Sequence, residues 1–201
     1  MRVNDPGSGE QPILNIVGEL VALGPLRRDL LPLYQRWIND FAAASRVGSF
    51  VPLTLEQEER WYDSVIKSET ALTFTVYERK GARPIGTTGL TDIDQRNRRA
   101  EFGIFIGEPE CRGKGYGTEA TRLTLDYAFT ALGLHNVMLR VFEYNLTAIR
   151  VYEKAGFKEF GRRREAYLMN GRMWDDVHMD CLATEFESPV FKQVFMPGQP
   201  Q

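Results

Sequence analysis

From residue 107 to residue 121 the chain reads GEPECRGKGYGTEAT, with glycines at 113, 115 and 117 and two cations, Arg112 and Lys114, among them. An alternating apolar segment, AEFGIFIG, runs into this turn, and a helix-forming segment runs out of it. A strand, a tight turn and a helix in that order call for an α/β fold, because the strand needs a sheet and the helix needs a face of it. The turn has a chemistry as well. Glycines let the backbone approach a ligand closely, and the first turn of a helix offers N–H groups with no partner inside the helix. The helix dipole adds partial positive charge, so the default occupant is an anion.

Spacing excludes the two commonest nucleotide loops. A P-loop needs four residues between its first glycine and Gly-Lys, then Ser or Thr. Here Gly107 to Gly113 encloses five residues, and Gly115 follows Lys114. A dinucleotide fingerprint needs G-x-G-x-x-G and an acidic residue about 20 positions on. The run here is Gly113-x-Gly115-x-Gly117, then Thr118, with Arg140 and Val141 in the later region. What remains is R-x-x-G-x-G, Arg112 to Gly117.

The rest of the chain fits one mixed α/β domain. A short strand is expected around 13–23, and a helix in PLRRDLLPLYQRWINDFAA, whose apolar residues fall at helical spacing. A second helix starts at Thr54, with Gln57 completing a capping box. Strands follow in ALTFTVYER, RPIGTTGLTDI and RAEFGIFIG. The helix 118–132 is apolar on more than one face, so it packs on a sheet and is partly covered by something else. HNVMLRVFE reads as a strand, NLTAIRVYEKAGF as a helix stopped by Gly156, and the Asn170-Gly171 pair as a hairpin turn. The polar, Gly- and Pro-containing residues 1–12 are expected to be disordered, with the domain over 13–183 and a tail over 184–201.

Composition narrows the partners. A net charge of -2 over 201 residues argues against general nucleic-acid binding. Two cysteines and two histidines form no disulfide framework and no metal cluster, so a reducing cytoplasm is the expected compartment. No apolar run is long enough to span a membrane.

Four features in order resemble the GNAT acyltransferases, which bind acetyl-coenzyme A. They are the R-x-x-G-x-G turn, the preceding strand AEFGIFIG with Gly103 where a bulge is expected, the N-x-x-A-x-x-x-Y-x-x-x-G-F pattern in NLTAIRVYEKAGF, and the ending GRRREAYLMNGRMWDD. The ending is similar to the branch that acetylates ribosomal-protein N-termini and spermidine. The resemblance implies a mixed, mostly antiparallel sheet with helices on both faces, and coenzyme A entering between two parallel strands. It implies N-acetylation of a primary amine, on a small molecule or a protein N-terminus, by direct attack. A longer acyl donor such as succinyl-CoA, or a non-catalytic CoA-binding module, are the alternatives. A cytoplasmic homodimer without metal, membrane or nucleic-acid partner completes the expectation.

The same resemblance assigns residues. Arg112, Gly113, Lys114, Gly115, Tyr116, Gly117 and Thr118 would hold the pyrophosphate, and a backbone N–H at Phe105 or Ile106 would polarise the thioester. Tyr152 would protonate the leaving thiolate, and Glu101 would deprotonate the amine unless it pairs with Arg98 or Arg99. Asn145, Ala148 and Tyr152 share a helical face, which would bring Asn145 to the pantetheine arm. The acidic run EQEER and Asp63 lie near the second helix, which by the resemblance borders the acceptor pocket and would attract a cationic amine. The plainer reading, a solvated helix face, is preferred. Trp37, Trp61 and Trp174 read as core or pocket wall. Cys111 and His135 lack the pairing that a nucleophile needs.

Overall fold

The structure, a computed structural model, describes residues 11–195. Residues 1–10 of the expected disordered start and 196–201 of the expected tail lie outside the described residues. In chain order the elements are β1 (Ile16–Val17), β2 (Val21–Pro25), α1 (Leu31–Ile38), α2 (Phe41–Ala44), α3 (Leu55–Ile66), β3 (Leu72–Glu78), β4 (Arg83–Asp94) and β5 (Arg99–Ile106). There follow α4 (Tyr116–Asp126), β6 (Asn136–Phe142), α5 (Leu146–Ala155), β7 (Lys158–Met169), β8 (Arg172–Leu182) and α6 (Phe191–Phe195). The strands form one sheet, ordered β1-β2-β3-β4-β5-β6-β8-β7. Every pairing is antiparallel except β5 with β6. This is the mixed, mostly antiparallel α/β sheet the sequence implied.

Local signals placed several boundaries. Thr54 Oγ1 accepts the Gln57 N–H, and Gln57 Oε1 accepts the Thr54 N–H, so both ends of the capping box close at the start of α3. Asn145 caps α5 through Ala148, and Gly156 ends it at φ +114°. Asn170 and Gly171 both have positive φ, which matches the twist of the flanking strands β7 and β8.

Tertiary contacts changed others. The single strand expected over 13–23 is a tight hairpin, β1–β2. Its turn is held by Glu119, whose carboxylate accepts the N–H groups of Glu19, Leu20 and Val21 at 2.7, 2.7 and 2.8 Å. The first long helix breaks after Ile38, where Asn39 hydrogen-bonds to the backbone of Leu53 and Asp40 caps α2. No bulge occurs at Gly103. The β4–β5 register is continuous from Glu101 to Ile106, and the irregularity lies between Thr91 and Asp94. Gly103 faces Gly89 across the ladder, and a Cβ there would meet nothing within 4 Å, so no side chain pushes the strand out of register.

Alternation on β5 sets the two layers. Ala100, Phe102, Ile104 and Ile106 pack with the core under α4 and α5, whereas Phe105 joins Tyr34 and Trp37 under α1 and α3. Helix α4 continues into a π-helical turn at Tyr127–Ala131. What covers its outer face is the described part of the tail. Val190 and Phe191 donate their N–H groups to Asp126 Oδ2 at 2.8 and 2.9 Å, and Phe191 packs on Tyr127.

Candidate active site

The parallel ladder is short. Arg99, Ala100 and Glu101 pair with Asn136, Val137 and Met138, and no pairing between β5 and β6 continues beyond. Each strand keeps its outer partner, β5 with β4 as far as Ile106 and β6 with β8 as far as Phe142. The sheet therefore parts like a V whose apex is Glu101. Backbone groups along its inner edges are left without a sheet partner, a costly arrangement unless water or a ligand meets them. Gly107 donates its N–H to the Ile85 carbonyl on β4 at 2.9 Å. Ladder alternation then turns the Phe105 N–H toward β4 and those of Ile104 and Ile106 into the opening. Of the two residues proposed for polarising a carbonyl, Ile106 has the right direction and Phe105 does not.

The glycine turn sits at the end of β5. Gly113 and Gly115 have φ of +73° and +87°, which L side chains rarely adopt. Gly115 is the N-cap of α4, so the N–H groups of Tyr116, Gly117 and Thr118 have no acceptor within the helix. Nothing lies within 4 Å of a Cβ built at Gly113. The turn is thus an open cradle of donors at the positive end of an 11-residue helix, which fits a pyrophosphate. Its two cations are placed differently. Arg112 turns inward and donates to the Ile106 and Gly107 carbonyls at 3.3 and 3.2 Å, tying the turn to β5, while Lys114 is exposed. The Tyr116 hydroxyl donates to Glu78 at 2.6 Å.

Between the parted strands β5 and β6, beside α5, lies a cleft of about 190 Å³, lined by Glu101, Gly103, Arg140, Asn145 and Tyr152 among others. The Tyr152 ring stands edge-on to Phe102 and packs against Phe157, at 6.1 and 6.0 Å. Its burial pushes the phenol up to about 12. Asn145 spends its side-chain oxygen on the α5 cap and its amide on the Arg46 carbonyl, at 3.2 and 3.4 Å. Glu101 pairs with neither Arg98 nor Arg99. Its partner is Arg140 on β6, with Nε to Oε1 at 2.9 Å. Arg98 instead reaches the Gly133 carbonyl, and Arg99 reaches Asp94.

A larger cleft of about 480 Å³ opens on the α1–α3 side of the sheet and shares Val47 and residues 101–104 with the first. Trp37 and Trp61 both line it, and Trp37 is 2% exposed, so it is core and pocket wall at once. Trp174 lies elsewhere, against Tyr144 and under Arg172. Glu108 holds this wall in place by accepting hydrogen bonds from Trp37 Nε1, at 2.8 Å, and from Arg36. Sequence reasoning missed Glu108, Glu119 and Arg140. Their partners are 71, 98 and 39 residues away, so no local pattern marks them.

A sheet parted between its two parallel strands, with a glycine cradle at one end and a second cleft meeting it at the apex, defines an acyl-CoA-dependent N-acyltransferase. The acetyltransferase (GNAT) domain family matches residues 21–158, and the chain belongs to that family. It is 36% identical over 180 residues to the spermidine N(1)-acetyltransferase of Escherichia coli K12, covering 89% of this chain and 92% of that protein. It is 32% identical over 157 residues to human alpha/beta-tubulin-N-acetyltransferase 9, covering 72% of this chain and 75% of that one. The crystal structure of spermidine N-acetyltransferase from Vibrio cholerae in complex with CoA and spermine superposes with a TM-score of 0.77 at 31% identity. That match covers 83% of this chain and 97% of the other. The protein is an N-acetyltransferase that uses acetyl-CoA to acetylate an amine. Among the described residues, no group of three or more His, Cys, Asp or Glu is placed to hold a metal, and no helix is long and apolar enough to cross a membrane.

Proposed function

We propose that the V between β5 and β6 receives the thioester arm of acetyl-CoA, and that the aromatic cleft beyond Glu101 receives a small cationic amine. When bound, acetyl-CoA supplies an acetyl group activated as a thioester. The glycine turn and the first N–H groups of α4 hold its pyrophosphate. The unpaired edges of β5 and β6 hydrogen-bond the amide-bearing arm, and Asn145 lies beside it. The Ile106 N–H, with that of Ile104, polarises the carbonyl.

Two side chains move protons. Glu101 accepts, directly or through water, the proton that the amine gives up as its nitrogen bonds to carbon. Tyr152 donates its hydroxyl proton to the departing sulfur as the carbon–sulfur bond breaks, and recovers one from solvent. Burial raises the phenol, and it raises the proton affinity of a thiolate in the same cleft, so the transfer stays balanced.

The observation that carries this is the loss of the β5–β6 ladder at Glu101, with Tyr152 on the wall of the gap and the glycine cradle beyond it. The spermidine N-acetyltransferases among the relatives support a small amine as acceptor. The buried free thiols Cys111 and Cys181 fit the reducing cytoplasm. The test is a mass-spectrometric screen of the purified protein with acetyl-CoA and a panel of diamines, polyamines, monoamines and peptide N-termini. Acetylation of small cationic amines is expected, and acetylation of peptides alone would overturn the acceptor class. Arg46 and Arg140 are the cations at the thioester cleft where a longer acidic acyl group would be selected. Arg140 is already held by Glu101, which favours acetyl, and a panel of acyl-CoA thioesters checks the choice. Light scattering checks the expected homodimer.

A further inference from the structure

The acidic residues of α3 have different fates. Glu56 and Glu59 are exposed, and Asp63 is paired at the surface with Arg28. Glu58 is 6% exposed and lines the aromatic cleft. Among the described residues, no hydrogen-bond donor and no cation pairs with its carboxylate, and burial alone raises its carboxyl above the ordinary value. An unpaired buried carboxylate destabilises a fold, and an amide or apolar side chain of similar size would avoid that cost. Glu58 lines the cleft, so a ligand group that pairs with its carboxylate can reach it there.

The lining says what that group is. Among the described residues, no Lys, Arg or His side chain lines the cleft, whereas the rings of Tyr34, Trp37, Trp61 and Phe105 do. Aromatic faces attract cations and cover methylene groups. A second carboxylate, Glu101, stands at the mouth where this cleft meets the thioester cleft. Glu58 comes from a helix over the sheet and Glu101 from a strand within it, so the two charges sit at separate places around one cleft.

On the basis of the function proposed above, we infer that Glu58 is the residue that selects the acceptor. Its carboxylate binds a second ammonium group of an amine whose first nitrogen reacts beside Glu101, while the rings cover the apolar span between. A monoamine of equal length leaves Glu58 unpaired. Discrimination thus comes from an ion pair that the right substrate forms and from a buried charge that the wrong one leaves bare.

The probes are hexamethylenediamine and n-hexylamine, which differ only by the terminal ammonium. The wild type should favour the diamine in kcat/KM by about tenfold to hundredfold, the scale of one charge-assisted hydrogen bond. Glu58→Gln should raise KM for the diamine by a similar factor, keep kcat, and bring the preference close to one. Glu58→Asp, which restores the charge, should recover part of it. A melting temperature at or above that of the wild type shows that the Gln variant is folded. An undiminished diamine preference in that folded variant overturns the inference.

A second readout needs no turnover. Titration of either amine against the fluorescence of Trp37 and Trp61 should show diamine binding that Glu58→Gln weakens, and equal binding by both proteins overturns the inference. Calorimetry with acetyl-CoA should be unchanged by the substitution. A wild type that binds acetyl-CoA but acetylates neither probe refutes the proposed acceptor chemistry, and the fluorescence titration then decides Glu58 alone.

Discussion

Tyr152 is held by its ring and exposes its function at its hydroxyl. The ring packs between Phe102 and Phe157, and the hydroxyl makes no hydrogen bond to another described residue. Tyr152→Phe should therefore leave the melting temperature nearly unchanged while the turnover number falls by roughly 10²- to 10⁴-fold, the scale of a lost general acid. Normal turnover in a folded variant would remove the general-acid role. Because burial pushes the phenol up to about 12, the alkaline limb of the wild-type rate profile should lie near that value. Stability follows with a definite sign. The native phenol keeps its proton between the unfolded value of 10.0 and about 12, so its contribution is full below the first value and is lost as pH rises through the second. Denaturation across that range should show a smaller fall in the Phe variant than in the wild type, the remainder coming from other buried groups such as Tyr34, which burial also pushes up to about 12. Glu101 is tested separately. Glu101→Gln should lower turnover near neutral pH and recover partly at high pH, where the amine is already deprotonated, with acetyl-CoA affinity unchanged. A deficit that is constant with pH would mean that Glu101 only anchors Arg140.

The start of α4 is where an element's end becomes a binding site. At an ordinary N-cap an Asp would be favourable, because its carboxylate accepts an N–H of the first turn. At Gly115 the backbone has φ +87°, and a Cβ would also come within 3.4 Å of Leu20 Cδ1. Gly115→Asp therefore adds strain and places negative charge where the pyrophosphate belongs. Calorimetry should show acetyl-CoA binding weakened by about a hundredfold or more, near 3 kcal/mol, with circular dichroism unchanged. Unaltered affinity would mean that the turn does not hold the phosphates. The α4 terminus also has Glu119, which clamps the β1–β2 turn against the helix. The element that presents donors to a ligand is thereby fixed to the sheet edge beside it.

Across the whole molecule, the helix that carries the cradle is closed from outside by the tail. Asp126 is fully buried and receives the Thr130 hydroxyl on one oxygen and the Val190 and Phe191 N–H groups on the other. Asp126→Ala should destabilise the protein by about 2–5 kcal/mol, since it strands buried donors in addition to removing their acceptor. Denaturant unfolding measures the loss, and hydrogen exchange at Val190 and Phe191 should accelerate. A change in exchange without a change in stability would show that the tail docks independently of the core.

Local chemistry was enough for much of this protein. Thr54 and Gln57 start α3, Gly156 ends α5, and Asn170-Gly171 turns β7 into β8, because each feature acts within four residues of itself. The spacing of Arg112 to Gly117 separated this turn from other nucleotide loops, and with the Asn145-to-Phe157 pattern it carried the resemblance to the family. The acceptor cleft was not legible in that way. Glu56, Glu58, Glu59 and Asp63 are alike in sequence, and only the packing of α3 over the sheet leaves Glu58 buried without a partner. Glu101 read as a base or as the partner of Arg98 or Arg99, and the parallel register replaces those two arginines with Arg140 on β6. The same register ends after three pairs and so opens the sheet. Short-range rules fix caps and turns because the interacting atoms are near neighbours along the chain. Burial, long-range ion pairs and the point where two strands part depend on which distant segments meet, and only the folded chain determines that.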